Sequence, residues 1–173
     1  MHARTLLTAT LLTLALPAMA AEKTVEIHAI SADGVGEKIG TVTLMDTSNG
    51  LSLTPDLRQL SPGAHGFHVH EKPSCEAGMK DGKKAAGIAA GGHYDPAGKG
   101  EHAGPRGEGH RGDLPVLMVK SDGTATEKVI APRLKLEDVT GRALMIHEGG
   151  DNYSDQPKPL GGGAGRIACG VVQ

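Results

Sequence analysis

Short runs with an apolar side chain at every second position, each closed by a turn of Gly, Asn, Asp or Pro, leave this chain few ways to fold. TVEIHAI (24–30) alternates apolar and polar residues. KIGTVTLMD (38–46) follows the turn signal SADGVGE, GLSLTPDL (50–57) follows DTSNG, and HGFHVHE (65–71) follows SPGA. LPVLMVK (114–120), TATEKVIA (124–131), RALMIHE (142–148) and RIACGVV (166–172) complete eight candidate strands. Such strands at this spacing predict an all-β sandwich or barrel. No helical stretch of useful length and no internal repeat interrupts them. With two Tyr, one Phe and no Trp, the core must be built from Val, Ile, Leu, Met and Ala.

The first 20 residues stand apart from this pattern. MHARTLLTATLLTLALPAMA carries His2 and Arg4, then a Leu/Ala/Thr run, then Ala18-Met19-Ala20. That is a basic start, a short apolar stretch and an A-x-A cleavage site, and it reads as a signal peptide rather than a buried helix. The run is too short to cross a bilayer, which takes about 20 apolar residues. Cleavage after Ala20 leaves one exported domain over residues 21–173. No later segment is apolar enough to span a membrane. A formal charge of -2 gives no reason to expect nucleic acid as a partner. Cys75 and Cys169, an even pair in an exported chain, read as one disulfide, the alternative being two free buried thiols.

From Lys72 to Asp113 the alternation stops, and a second Gly/Pro-rich loop covers 149–165. A structureless loop as long as the first is uncommon inside a compact domain. Its histidines suggest what orders it. His68 and His70 sit one residue apart in a strand, so both side chains emerge on one face. His147 ends a later strand and supplies a third nitrogen. His93, His102, His110 and Asp113 are a donor set for a closed four-coordinate zinc site. Imidazole-rich sets suit copper or zinc rather than magnesium or calcium. His28 and His65 are expected to be merely solvated.

Five motifs, GFHVHE, GGHYDP, GHRGDLP, HEGGDN and GRIACGVV, stand in the order found in copper/zinc superoxide dismutases. The chain resembles the bacterial periplasmic branch of that family over essentially all of its mature length. The resemblance implies an eight-stranded antiparallel Greek-key sandwich or barrel whose two long loops carry a metal site. It implies one copper held by His68, His70, His93 and His147, and one zinc held by His93, His102, His110 and Asp113. His93 would serve both ions as a bridging imidazolate that takes up a proton during turnover. Cys75 and Cys169 match the family disulfide. Arg166 matches the arginine that guides the anionic substrate beside copper, and Asp151 the carboxylate linking His68 to His102. Ala164 stands where the family usually has glycine, which carries a cost if the backbone there needs φ > 0.

The activity implied is dismutation of superoxide to oxygen and hydrogen peroxide. Copper is needed for it because zinc has no redox chemistry. Lys80, Lys83, Lys84 and Lys158 are candidates for drawing the anion toward the site. The resemblance admits a monomer or a homodimer. Two other functions compete with this reading. A periplasmic protein that buffers copper or zinc without turnover would need the same ligands, though not Arg166. A zinc hydrolase would need a general base, and none is obvious.

Overall fold

The computed structural model describes residues 21–173, so the expected signal peptide lies outside the described residues. The described residues form eleven strands: β1 (Glu22–Ser31), β2 (Gly34–Thr47), β3 (Gly50–Leu57), β4 (Gly63–His65), β5 (Phe67–His70), β6 (Gly78–Lys80), β7 (Lys83–Ala85), β8 (Leu117–Val119), β9 (Val129–Ala131), β10 (Arg142–His147) and β11 (Arg166–Val172). One four-residue helix, α1 (Leu136–Val139), precedes β10. Seven strands form a curled sheet in the order β5-β10-β11-β1-β2-β3-β9, antiparallel at every pairing. β4 pairs with β8, and β6 with β7. The all-β barrel-type architecture expected from the alternation is the one observed.

Strand limits differ from the expectation where the chain bends. The run 65–71 is two strands, because Gly66 turns the chain between β4 and β5. There Gly66 donates its N–H to Gly149 O and accepts from the N–H of His147, which ties β4–β5 to the end of β10. The runs 114–120 and 124–131 shrink to three residues each. The β6–β7 hairpin carries no apolar alternation and has no counterpart among the expected strands.

One face of the sheet closes on an aliphatic core that includes Val25, Ile27, Val42, Leu44, Leu53 and Leu144. Phe67, the only phenylalanine, is fully buried in it with Val69. Period two then sends the alternate residues of β5, His68 and His70, to the opposite face. That face is not left to water. A smaller apolar cluster of Ile30, Ala90, Ala143, Met145 and Cys169 covers part of it, with Cys75 and Ala86 packed against it. The Cys75–Cys169 disulfide, with Cα atoms 5.7 Å apart, fastens the loop after β5 to β11. The two long loops cover the rest, and between them and the sheet lie the histidines.

Candidate metal centre

Main-chain hydrogen bonds bring the distant histidines to β5. The Val69 N–H donates to Gly112 O, the Gly112 N–H to Tyr94 O, and the Tyr94 N–H to Val69 O, each at 2.8 Å. This three-way lacing lays residues 93 and 113 against the edge of β5, where His70 faces His93 and His68 faces Asp113. β10 runs on the other side, with Met145 opposite His68, so His147 arrives at the end of that strand.

The resulting cluster has two lobes. Ligand atoms of His68, His70, His93 and His147 lie within 4.8 Å of one another, and so do those of His68, His93, His102 and Asp113. His68 and His93 are common to both lobes and stack at 3.9 Å between ring centroids. His110 falls outside the second four-residue group but adjoins it, its ring centroid 5.2 Å from that of His93 and its Nδ1 3.6 Å from Asp113 Oδ1.

Asp151 joins the lobes. It accepts hydrogen bonds from His68 Nε2 at 2.8 Å and His102 Nε2 at 2.7 Å. Both rings are thereby turned so that Nδ1 faces the cluster. Gly161 (φ +69) passes so close that a Cβ there would collide with Asp151 Oδ1 and His102 Nε2, so the turn requires glycine. His70 Nδ1 donates to Gly91 O at 3.0 Å, leaving Nε2 inward.

The opposite ring atoms are left over. Among the described residues, His68 Nδ1, His70 Nε2, His93 Nε2, His102 Nδ1, His110 Nδ1 and both nitrogens of His147 are buried without a hydrogen-bond partner. His102 Nδ1 lies 3.0 Å from Asp113 Oδ2, but without the alignment of a hydrogen bond. An unpaired buried polar group costs about 1–3 kcal/mol. Several converging on two points have one economical explanation, which is that cations are meant to pair with them. Nitrogen-rich on one side and mixed nitrogen and carboxylate on the other, the donors fit copper and zinc.

Electrostatics divide the lobes in the same way. Burial pushes His93 down to about 4 and His147 to about 2, and it lowers His68 and His70 as well. These rings are neutral at pH 7, the form that binds metal. Burial also opposes charge on His102, but the adjacent Asp113 and Asp151 outweigh it and raise His102 to about 9. The same contacts hold both carboxyls well below the usual carboxylate range, against their own burial.

These shifts set the pH dependence of the metal-free protein. His93 and His147 refuse protons that their unfolded counterparts accept near 6.5, so their contribution is present above that pH and lost as pH falls toward 4 and below. His102 works in the opposite sense: its contribution is present below about 6.5 and lost as pH rises through 9. Thermal unfolding of chelator-treated protein is therefore expected to peak near neutral pH and fall on both sides. A melting temperature still rising as pH drops through about 5 would contradict this.

One residue differs from its expected surroundings. His65, expected to be solvated, is 2% exposed. Its Nδ1 lies 2.7 Å from His147 O and its Nε2 2.8 Å from Ser61 O, so the ring braces the main chain of a candidate ligand. Its partners are carbonyls, one of them 82 residues away, and a carbonyl leaves no side-chain signature. Ala164 has φ 58, a left-handed conformation that costs a non-glycine residue about 1–2 kcal/mol, as feared if the position needs φ > 0. His28 is half-exposed on β1, with Nδ1 3.1 Å from Gly36 O.

Arg166 opens β11 opposite His147. Its Nη1 donates to Gly87 O at 2.6 Å and its Nη2 to Gly91 O at 2.8 Å. Gly91 O is also the acceptor for His70, so one carbonyl fixes the guanidinium relative to a candidate copper ligand.

The family model for copper/zinc superoxide dismutase matches residues 38–172. A Cu-Zn superoxide dismutase of Escherichia coli (strain K12) is 55% identical over 163 residues, covering 94% of each chain. A second Cu-Zn superoxide dismutase of Salmonella typhimurium is 58% identical over 90% of this chain and 91% of its own. The solved structure of the Cu/Zn superoxide dismutase from Brucella abortus superposes with a TM-score of 0.87 at 50% identity, covering 88% of this chain and all of that one. The solution structure of the monomeric enzyme from Salmonella enterica does so with a TM-score of 0.80 at 56% identity and the same coverage.

Proposed function

The chain belongs to the copper/zinc superoxide dismutase family, and on that premise we propose how its own residues divide the work of dismutation. The enzyme converts two superoxide ions and two protons to oxygen and hydrogen peroxide, using copper and zinc. Copper, when bound, supplies the one-electron change that oxidises one superoxide and reduces the next, and zinc supplies fixed positive charge. His68, His70, His93 and His147 hold copper, and His93, His102, His110 and Asp113 hold zinc. The convergence of partnerless buried ring nitrogens on the two lobes carries this reading.

His93 is the residue common to both ligand sets. Its Nδ1 points to the carboxylate side, 3.0 Å from Asp113 Oδ1, and its Nε2 faces the copper lobe without a partner. Nε2 is thus the atom that can carry a proton for the peroxide-forming step while Nδ1 keeps the ring in place. Asp151 fixes the tautomers of His68 and His102, and losing such a partner commonly costs about 10–100-fold in metal affinity or activity.

Arg166 guides the substrate. A guanidinium fixed by two carbonyls presents charge and donors to a small anion without having to reorganise. Arg166→Ala is expected to slow superoxide decay about 10-fold or more at low salt and to flatten its dependence on ionic strength. An unchanged rate and salt profile would remove Arg166 from this role. Lys80, Lys83, Lys84 and Lys158 would add to the same field at longer range.

Every ligand named comes from a single chain, so a homodimer would add none. Export to the periplasm fits the disulfide, a bond that forms and persists in oxidising compartments and is rare in reducing ones. Among the described residues no helix is long and apolar enough to cross a membrane. The test of the whole reading is superoxide decay by protein loaded with both metals. Rapid decay is expected. Tight binding of both ions without decay would favour a metal buffer instead.

A further inference from the structure

The candidate zinc ligands are not held alike. His102 is turned by Asp151, and His93 lies beside Asp113. Among the described residues the His110 ring makes no hydrogen bond that would orient it, and Asp113 is too far from its Nδ1 to do so. What fixes His110 is its main chain. Its N–H donates to Glu101 O at 2.8 Å. On the other side, Arg133 Nη2 donates to Gly109 O at 3.0 Å and to His110 O at 2.7 Å. A second arginine closes the clasp: Arg111 Nε donates to Arg133 O at 3.0 Å, and Arg111 Nη2 to Asp138 Oδ2 at 3.1 Å. Asp138 is itself tied to its own helix through the Lys135 N–H at 2.8 Å. The turn that carries His110 is thus fastened across 22 to 27 residues of sequence to α1 and the segment that precedes it.

We propose that Arg133 is a positioning residue for zinc. Its guanidinium grips the carbonyls on either side of the His110 Cα–N bond and so sets where the imidazole of His110 stands, while Arg111 and Asp138 anchor that grip. The inference rests on the assignment of His110 to zinc. The physical argument is that charge-assisted bonds to carbonyls are roughly twice as strong as neutral ones. They act here on the one ring of the set that no hydrogen bond orients. The clasp touches no residue of the copper lobe, so its effect should be confined to zinc.

Zinc and copper affinities of the full protein, measured separately by competition with chromophoric chelators, test this. Arg133→Ala is expected to weaken zinc about 10–100-fold and leave copper within about threefold. Arg133→Lys, which keeps the charge but presents one point donor instead of a planar fork, should fall between the two. Cobalt placed in the zinc site should show altered visible bands in Arg133→Ala. Arg111→Ala, which keeps the grip but loosens its anchor, should lower zinc affinity less than Arg133→Ala. Equal loss of both metals would make Arg133 a general structural residue and overturn the proposal. Unchanged zinc affinity in Arg133→Ala would overturn it as well, leaving the ligand assignment standing. If the unsubstituted protein takes up copper but no zinc, the ligand assignment itself fails, and the proposal with it.

Discussion

His93→Gln abolishes nearly all dismutase activity, by about 100- to 10,000-fold, the range contributed by a positioned proton-transfer group. The argument is geometric. His93 is the one ring among the proposed shared ligands with a nitrogen toward each lobe, Nδ1 beside Asp113 and Nε2 facing His68, His70 and His147. A glutamine of similar reach can offer one ligand atom but no second ring nitrogen, so it cannot serve both ions or keep its place while a proton moves. Zinc and copper stoichiometry measured on the same sample separates loss of proton handling from loss of metal. Retention of more than a tenth of the activity with both metals bound would show that the shared ring is dispensable.

Removing the disulfide is expected to have the next largest effect. Cys75 and Cys169 are 94 residues apart, and closing a loop of that size restricts the unfolded chain by about 4–5 kcal/mol in the chain-entropy account. Measured losses run about 2–5 kcal/mol, so the double variant Cys75→Ser/Cys169→Ser should melt roughly 4–20 °C lower. Activity should suffer beyond the loss of fold, because Gly87 and Gly91, whose carbonyls hold Arg166 and His70, lie in the loop that the disulfide fastens. Calorimetry together with the salt dependence of superoxide decay checks both parts. Unchanged stability would contradict the first, and an unchanged rate at temperatures where the variant is folded would contradict the second.

The parts of this centre that were readable from the sequence are those written in side-chain type and period. Alternation in HGFHVHE puts His68 and His70 on one face of the strand, and the structure has them there, with Phe67 and Val69 in the core on the other. The Asp151 link between His68 and His102, implied by resemblance alone, is present in the geometry. What the sequence leaves unmarked is written in the main chain. His65 is buried against the carbonyls of Ser61 and His147, Arg133 donates to those of Gly109 and His110, and no residue type announces a carbonyl partner. The β6–β7 hairpin has no signature in the sequence because its strands are largely exposed, with Met79 67% exposed, so no apolar alternation marks them. The loop from Lys72 to Asp113 was expected to be ordered by metal. The disulfide expected from the cysteine pair staples it to β11, and main-chain hydrogen bonds lace it to β5, which are long-range contacts that composition does not encode.

The most direct test of the shared-ring centre is the electron paramagnetic resonance spectrum of copper in metal-loaded protein, recorded with zinc present and after its selective removal. A spectrum with several nitrogen couplings that changes shape when zinc leaves is the expected result, because one imidazole would serve both ions. A spectrum indifferent to zinc, or one dominated by oxygen ligands, would contradict it.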